Sequence, residues 1–428
     1  MRNQTMASAT EKTKASAGKS ARFEARDAGL PPATLSSFDF HPRTRLVFGV
    51  NSVERVGELA RELGARRVLV VTDPGIVTAG HADRVEHILQ ACGLGVVVFD
   101  EVHENPTTRD VDKCLAVAKS AGIDTIVGLG GGSSMDTAKG CNFLLTNGGR
   151  IQDYWGIGKA TKPMLPVIAI PTTAGTGSEC QSAALIAEEH THQKMACLDP
   201  KAAARVAILD PALTVSQPPR VTAVTGIDAI AHAVETAVTR KRNPFSLMFS
   251  HEAFKLLVPS FPKVWRDPLD LDARGRMLIG AAFAGTAIEN SMLGAAHAAA
   301  NPLTAHYGIV HGEAVGILLP HVVRFNAKDR AAKRAYAELA SAPEIACVSD
   351  GLDAAVEALI ARLESLLNEA QVARSLTDLG VKRSKVKLLA DEAAKQWTTA
   401  FNPLPVTVRD FEILYEKAFE PRGEGDEK

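Results

Sequence analysis

The chain has 428 residues, a formal net charge of −1 and a 46% hydrophobic fraction, which is enough for two or three domains with substantial cores. The near-neutral charge balance, without a long basic stripe, gives no electrostatic reason to expect a nucleic acid or an anionic membrane as partner. The six cysteines are scattered and lack C-x-x-C spacing, which favours a reducing compartment, so we expect a cytoplasmic protein.

The first 37 residues are rich in Ala, Ser, Thr, Lys and Arg and poor in large apolar side chains. We predict that residues 1–37 form a disordered tail. A transit peptide is the alternative interpretation, but Glu11, Glu24 and Asp27 argue against it.

Residues 38–215 alternate short apolar segments with helix-like segments. RRVLVVTD, GVVVFDEV, DTIVGLGGG and PVIAIPTT are rich in Val or Ile and bounded by Gly, Pro or Asp, whereas HADRVEHILQACG has helical spacing. This alternation predicts an α/β domain with a mainly parallel sheet.

The pattern changes at Pro218 and Pro219. Long segments with helical spacing follow, almost without strand signals, and continue to about Ala418. We therefore predict a second, all-helical domain over residues 216–428. Its longest run of small residues contains Glu289 and His297, which predicts a buried helix rather than a membrane span.

A glycine-rich loop, GLGGGSSMDTAKG, follows the strand-like segment DTIV. Gly130, Gly131 and Gly132 allow close approach of a ligand to the backbone, and Ser133 and Asp136 have the spacing of a capping box at a helix start. The N–H groups and the dipole of a helix N-terminus bind pyrophosphate well, so these residues are candidates for cofactor binding. A tight turn without a ligand is the alternative, because the loop is not a standard G-x-G-x-x-G.

A second polar loop, IPTTAGTGSE, ends another predicted strand and offers the hydroxyl groups of Thr172, Thr173, Thr176 and Ser178. It lies beyond a strand's carboxyl end, where α/β proteins bind ligands, and it can hold the amide and ribose of a nucleotide. A purely structural polar loop is the alternative.

Asp228 and His232 stand four residues apart in TGIDAIAHAVE, so on a helix they share one face and can hold one cation. His297 and His311 complete a set of four candidate metal ligands. Three imidazoles and one carboxylate suit Fe(II) or Zn(II). A hydrogen-bonded Asp–His pair or a histidine satisfied in the core is the alternative.

The sequence closely resembles the iron-containing (group III) alcohol dehydrogenase family, from about Phe38 to near the C-terminus. The resemblance rests on these motifs and their order: GGGSSMDTAKG, PTTAGTGSE, DAIAHAVE and HAAANPLTAHYGIVHGEAVGILLPHV. The resemblance implies a Rossmann-like dinucleotide-binding domain followed by a helical metal-binding domain, the dehydroquinate synthase-like architecture, with the active site in the cleft between them. It also implies a homodimer or larger assembly and four metal ligands: Asp228, His232, His297 and His311.

The resemblance further places six residues at the dinucleotide: Gly131, Gly132 and Ser133 at the pyrophosphate, and Thr172, Thr173 and Ser178 nearer the adenine, ribose or nicotinamide. Lys194, in HQKMACLD, matches a lysine that the family uses at the nucleotide. Asp73, after VLVVT, matches the family's acidic residue near the adenosine ribose. A carboxylate there accepts hydrogen bonds from both ribose hydroxyls and repels a 2′-phosphate, so we expect NAD rather than NADP. An aspartate that merely caps the turn TDPG is the alternative.

One position differs from the family pattern. Many members carry another histidine four residues after the third ligand, near the nicotinamide, but this chain has Asn301. An amide can hydrogen-bond but cannot act as a general base near neutral pH. His306 is a candidate substitute if the helix continues through Pro302, and a core or surface histidine is the alternative.

We therefore expect a metal-dependent, NAD-linked oxidoreductase that interconverts a primary alcohol, or a small hydroxylated compound, and its aldehyde or ketone by hydride transfer. One alternative is an enzyme for acidic substrates, such as a maleylacetate reductase, whose metal site would be degraded, or a hydroxyacid–oxoacid transhydrogenase. A lyase similar to dehydroquinate synthase would need a cluster of Lys and Arg for a phosphate-bearing substrate, and we find none near His297 to His311. A nucleotide-binding sensor would not need four intact ligand positions.

Overall fold

The structure, a computed structural model, describes residues 37–189 and 193–420. The tail predicted for residues 1–37 lies outside the described residues, apart from Ser37. The boundary between the two predicted domains, at residues 215 and 216, stays a prediction.

Nine strands lie in the described part of the N-terminal half of the chain. They are β1 (Arg45–Phe48), β2 (Arg67–Val71), β3 (Gly95–Phe99), β4 (Thr125–Gly130), β5 (Gly156–Ile157), β6 (Val167–Pro171), β7 (Ala183–Ala187), β8 (Lys194–Leu198) and β9 (Val206–Leu209). Six of them form a sheet in the order β1-β9-β6-β4-β2-β3, in which every neighbouring pair is parallel. A small second sheet has the order β5-β8-β7, with β7 antiparallel to β8. The predicted α/β domain with a mainly parallel sheet is confirmed.

Five helices pack around the large sheet: α1 (Val56–Glu62), α2 (Pro74–Thr78), α3 (His81–Ala91), α4 (Thr108–Ala121) and α5 (Gly132–Asn147). The central strands β4 and β6 are buried at every position, which explains their unbroken apolar sequences, because helices cover both faces of a parallel sheet.

The C-terminal half is helical, as predicted. Its α-helices are α6 (Pro219–Thr236), α7 (Pro244–Arg266), α8 (Leu271–Ser291), α9 (Ala295–Tyr307), α10 (His311–Asn326), α11 (Arg330–Ser341), α12 (Leu352–Glu369), α13 (Val386–Ala394) and α14 (Val408–Ala418). Helix α6 begins with a proline at its first position and is buried from Gly226 to Thr236, so it lies inside the helical core. None of the helices in the described part of the chain combines the length and apolar character that crossing a membrane requires.

The parallel sheet brings several polar loops to one edge. Asp73 follows β2, residues 102–106 follow β3, Gly131 follows β4 and Thr173 comes soon after β6. Because all four strands run in the same direction, these loops meet at the carboxyl edge of the sheet, where α/β proteins bind ligands.

Candidate functional site

A cavity of about 600 Å³ is lined by this edge of the sheet and by helices of the C-terminal half. It brings together most of the residues that the sequence predicted: Asp73, Gly131, Gly132, Ser133, Asp136, Thr173, Thr176, Ser178, Lys194, Asp228, His232, His297 and His311. The candidate cofactor loops and the candidate metal ligands therefore face one space.

The four candidate metal ligands come from three helices and converge. Nε2 of His232 lies 3.6 Å, and Nε2 of His297 lies 3.4 Å, from the same oxygen, Oδ1 of Asp228. Potential ligand atoms of Asp228, His297 and His311 all lie within 4.8 Å of one another. The His232 ring stacks on the His297 ring at a centroid distance of 4.7 Å, which brings the fourth residue to the same point.

The chemistry of this cluster fits a divalent cation. Four of its buried polar atoms have no hydrogen-bond partner: Oδ1 of Asp228, Nδ1 of His232, Nε2 of His297 and Nδ1 of His311. Leaving a polar atom buried and unpaired costs about 1–3 kcal/mol, so Oδ1 of Asp228 and Nε2 of His297, which lie 3.4 Å apart, are unfavourable without a ligand. One carboxylate and three imidazoles form a donor set that suits Fe(II) or Zn(II).

The protonation states also suit a cation. Burial lowers the pKa of His232 to about 4 and that of His311 to about 3, so both imidazoles are neutral near pH 7. Burial tends to raise the pKa of Asp228, but the neighbouring imidazoles, His232 foremost, outweigh burial and lower it, so the carboxylate is ionised. Neutral imidazole and ionised carboxylate are the forms that bind metals.

His297 is held by a carboxylate. Glu235 hydrogen-bonds Nδ1 of the His297 ring, and its other oxygen accepts a hydrogen bond from the Ala296 N–H at 2.7 Å. Burial tends to lower the pKa of His297, but Glu235 and Asp228 together raise it to about 9, so cation binding at this ring would release a proton. Glu235 ends the segment AHAVE, where no spacing or motif pointed to a role for it.

The start of α5 differs from the prediction. The capping box predicted for Ser133 and Asp136 is wrong, because the helix begins at Gly132 with Gly131 as its N-cap, so Ser133 already lies within the first turn. The Ser133 hydroxyl instead accepts a hydrogen bond from the Asn105 N–H at 3.3 Å, and Asp136 accepts one from Ser178 at 2.9 Å. Since no side chain caps this helix, its N-terminus is available to an anion in the cavity.

Backbone conformation explains one of the three glycines in this loop, and close packing explains another. Gly130 has a φ of +141°, and a Cβ at Gly132 would lie 2.8 Å from Cγ2 of Thr176. A Cβ at Gly131 would meet protein atoms only at 3.5 Å or more, on Thr173. The protein itself therefore does not require glycine at position 131, which favours a ligand as the reason for it.

The structure confirms the capping role of Asp73, and its role at the adenosine ribose stays a prediction. Its Oδ1 caps α2 by accepting hydrogen bonds from the N–H groups of Gly75 (3.0 Å) and Ile76 (3.1 Å). Its Oδ2 accepts a hydrogen bond from Ser134 at 3.3 Å, and the residue lines the cavity. A capping role thus leaves the carboxylate at the ligand space.

Two lysines lie at the cofactor loops: Lys194 is half-buried and lines the cavity, and Lys139 is buried. Burial lowers the pKa of Lys194, while Asp136 and Asp228 oppose this effect. The ammonium of Lys139, a residue that the sequence analysis missed, donates to the Ser178 carbonyl at 2.6 Å, the Ser178 hydroxyl at 2.8 Å and the Ala183 carbonyl at 3.0 Å. Lys139 lies three residues after Asp136, and this helical spacing was the available signal.

Three predicted residues do not line the cavity. Thr172 is buried, and its N–H donates to the Gly130 carbonyl at 3.0 Å.

The other two, Asn301 and His306, lie on α9, which does continue through Pro302. Asn301 donates a hydrogen bond to Gln396 at 3.0 Å. His306 pairs with Glu392 at 2.8 Å, with 38% of its side chain exposed. Both side chains are therefore engaged by the segment around α13 rather than by the cavity, so we assign neither of them a catalytic role.

The cavity also contains residues that the sequence analysis did not identify. The loop after β3 contributes Val102, His103, Glu104, Asn105 and Pro106, and its position after a strand's carboxyl end was a usable signal. Aliphatic side chains close to the ligands in sequence complete the wall: Val224, Ile288, Leu293 and Val310. They add apolar surface to the lining of the cavity.

Comparisons with known proteins find similar sequences and structures over most of the chain. Residues 42–211 match the family model described as "Iron-containing alcohol dehydrogenase", and residues 222–419 match the model of the C-terminal part of the Fe-containing alcohol dehydrogenase family. The chain is 36% identical to alcohol dehydrogenase 4 of Schizosaccharomyces pombe, covering 87% of each protein. It is 34% identical to the NAD-dependent methanol dehydrogenase of Bacillus methanolicus, covering 87% of this chain and 97% of that one. A solved 1,3-propanediol oxidoreductase superposes with a TM-score of 0.86 at 32% identity, covering 90% of this chain and all of the other.

Proposed function

The chain belongs to the iron-containing alcohol dehydrogenase family, and on this premise we propose that it is a metal-dependent, NAD-linked alcohol dehydrogenase acting on a primary alcohol or a small hydroxylated compound. The observation that carries the proposal is the shared cavity: the candidate metal ligands, which contain buried polar atoms without hydrogen-bond partners, line the same space as an uncapped helix N-terminus. A cation and a dinucleotide can therefore bind next to each other in this cavity.

Four residues would hold the cation, with Fe(II) preferred and Zn(II) as the alternative: Asp228, His232, His297 and His311. The bound cation would supply Lewis acidity toward the alcohol or carbonyl oxygen of the substrate. Glu235 orients the His297 ring, and the aliphatic side chains of Val224, Leu293 and Val310 exclude water from the reacting atoms.

For the cofactor, we propose NAD. The N–H groups at the start of α5, with Gly131 and Gly132, would bind the pyrophosphate, and Asp73 would accept hydrogen bonds from the adenosine ribose. The remaining polar residues of the cavity would orient the nicotinamide and its ribose: Ser133, Asp136, Thr173, Thr176, Ser178 and Lys194. The name of the Bacillus methanolicus relative, an NAD-dependent enzyme, supports this choice.

The charges in the cavity favour a neutral substrate over an acidic one. Among the described residues that line it, the Lys and Arg side chains are Lys194 and Arg220. Arg220 pairs with the buried Glu313, so its charge is already neutralised. A maleylacetate reductase, a hydroxyacid–oxoacid transhydrogenase or a lyase with a phosphate-bearing substrate would need a free cationic cluster here.

The test is NAD reduction by anaerobically purified, Fe(II)-loaded protein with a panel of alcohols, diols and hydroxyacids, repeated after chelation and readdition of Fe(II) or Zn(II). We expect turnover of neutral alcohols that disappears with the metal and returns with it. Hydride exchange between two carbonyl substrates without net NADH release would instead identify a transhydrogenase. A homo-oligomeric assembly and a cytoplasmic location stay predictions.

A further inference from the structure

A buried amide near the C-terminus reaches the start of the helix that carries His297. Asn402 follows a short helical turn, Trp397–Phe401, and is 1% exposed. Its Oδ1 accepts a hydrogen bond from the N–H of Ala295, the first residue of α9, at 3.2 Å. A side chain 107 residues away in sequence therefore caps a helix that carries a metal ligand.

Glu235 completes this cap. Asn402 accepts a hydrogen bond from the Ala295 N–H. Glu235 accepts one from the Ala296 N–H with one oxygen and hydrogen-bonds Nδ1 of His297 with the other. The preceding residue, Gly294, makes room for both, because a Cβ there would lie 2.9 Å from Oδ1 of Asn402 and 3.1 Å from Oε1 of Glu235. The first turn of α9 is thus held by two side chains from distant parts of the chain.

Asn402 also contacts the helix that begins with His311. Its Nδ2 donates to Oδ1 of Asn326, the last residue of α10, at 2.7 Å, and Nδ2 of Asn326 donates back to Oδ1 of Asn402 at 3.2 Å. Asn326 is 1% exposed and also donates to the Tyr336 hydroxyl at 3.2 Å. The two amides form a reciprocal, fully buried pair.

The segment that carries Asn402 is fixed to the region just beyond α6. The N–H of Arg240 donates to the Phe401 carbonyl at 2.8 Å, and its Nε donates to the Pro403 carbonyl at 3.2 Å. The three helices that supply the candidate metal ligands, α6, α9 and α10, are therefore tied together around one asparagine. In a low-dielectric core, a fully satisfied network of this kind holds its members in one arrangement.

We propose that Asn402 is a positioning residue for the metal centre: by capping α9 and pairing with Asn326, it holds the His297 ring so that Nε2 points toward Asp228. The inference rests on the proposed function, since the ring is positioned for the cation. Loss of the cap frees the first turn of α9 to shift, and Glu235 alone then holds the ring.

The test uses Co(II) as the probe, because its visible absorption reports ligand geometry independently of turnover. Metal-free full-length protein is titrated with Co(II), and the dissociation constant and spectrum are compared for the wild type, Asn402→Ala and Asn402→Asp. We expect Asn402→Ala to bind Co(II) about tenfold or more weakly, with an altered spectrum, as is typical when partners of metal ligands are removed. Asn402→Asp keeps an acceptor for the Ala295 N–H but loses the donor to Asn326, so its affinity should lie between those of the wild type and Asn402→Ala.

A matched control is Asn243→Ala. Asn243 caps α7, a helix without a candidate metal ligand, by accepting hydrogen bonds from the N–H groups of Phe245 and Ser246. We expect it to bind Co(II) as the wild type does. Wild-type affinity and spectrum in Asn402→Ala, or an equal loss in Asn243→Ala, would overturn the positioning role.

If Asn402→Ala does not fold, Asn326→Ala decides the question, because it removes the amide that pairs with Asn402 and leaves Glu235 and its hydrogen bonds in place. Weakened Co(II) binding by Asn326→Ala supports the proposal, and unchanged binding overturns it. Failure of the wild type to bind Co(II) contradicts the proposed metal site itself, whereas binding by the wild type that these substitutions leave unchanged contradicts only the role of Asn402.

Discussion

Glu235 hydrogen-bonds Nδ1 of His297, while Nε2 of the same ring lies 3.4 Å from Oδ1 of Asp228. One nitrogen of the ring is therefore fixed by a carboxylate, and the other is directed at the point where the candidate ligands converge. A carboxylate in this position sets both the tautomer and the orientation of a metal-binding imidazole.

We expect Glu235→Gln to weaken metal binding about 10- to 100-fold. The amide oxygen can still accept from the Ala296 N–H, so the helix start is kept, but the negative charge beside His297 is lost. The measurement is the dissociation constant for Fe(II) or Co(II). The control is Glu289→Gln, since Glu289 bonds Arg43 and Ser182 away from the ligands. Equal metal affinity in Glu235→Gln and the wild type would exclude the orienting role.

We expect Gly131→Ala to weaken NAD binding without lowering the stability of the fold. The backbone has an ordinary φ of −78°, and the nearest protein atom to the new Cβ lies at 3.5 Å, so folding should be unaffected. A pyrophosphate at this position would meet the methyl group, and such overpacking costs about 1–3 kcal/mol, or about 5- to 150-fold in NAD affinity.

The readouts are NAD titration calorimetry and thermal unfolding. Gly95→Ala, whose new Cβ would also lie 3.5 Å from its nearest neighbour but outside the cavity, should leave NAD binding unchanged. A Gly131→Ala protein with wild-type NAD affinity would contradict the proposed pyrophosphate site.

Asp73→Ser tests the preference for NAD. Serine can still cap α2, so the fold is preserved, while the charge that would repel a 2′-phosphate is removed. We expect the ratio of kcat/KM for NADP to that for NAD to rise by about tenfold or more. Asp100→Ser, just after the neighbouring strand β3 and outside the cavity lining, is the matched control. An unchanged ratio in Asp73→Ser would remove Asp73 from the ribose site.

We predict that the stability of the protein depends on pH through the side chain of Glu179. Burial raises its pKa from 4.5 to about 7, and its Oε1 has no hydrogen-bond partner. Because the folded-state pKa is the higher one, the folded protein holds this proton more tightly, and its stabilising contribution is lost as the pH rises from about 4.5 through 7. Glu179→Gln should therefore be more stable than the wild type above pH 7, by up to about 3 kcal/mol, and should lose that advantage toward pH 5.

Urea unfolding of both proteins between pH 5 and 8.5 measures this difference. Glu62→Gln, at a partly exposed side chain, should show no such trend. A stability difference between Glu179→Gln and the wild type that does not vary with pH would contradict a buried, protonated Glu179.

The strands that the sequence predicted are those with continuous apolar runs. β2, β3, β4 and β6 lie in the middle or on one side of the sheet and carry Val- or Ile-rich segments bounded by turn residues. β1 was missed because it has only four residues, of which only Val47 is buried, so it shows no clear period. Its place beside β9 depends on pairing across about 160 residues.

The candidate site was predictable where its chemistry is local. Asp228 and His232 lie one helical turn apart, and the glycine loop directly follows a strand, so spacing alone indicated both. The contact of Asn402 with Ala295 depends on how α9 meets a distant segment, which no local pattern encodes. The same holds for Asn301 and His306, because only the packing of α9 shows that Gln396 and Glu392 engage them.

The central claim, a metal-dependent dehydrogenase whose cation is held by the four predicted ligands, is tested most directly with Asp228→Ala. Metal content and NAD reduction are measured in the wild type and in this variant, before and after chelation and reloading with Fe(II). We predict that the wild type loses NAD reduction on chelation and regains it on reloading, and that Asp228→Ala retains neither metal nor activity. An Asp228→Ala protein that keeps both, or a metal-free wild type that reduces NAD at the full rate, would contradict the account.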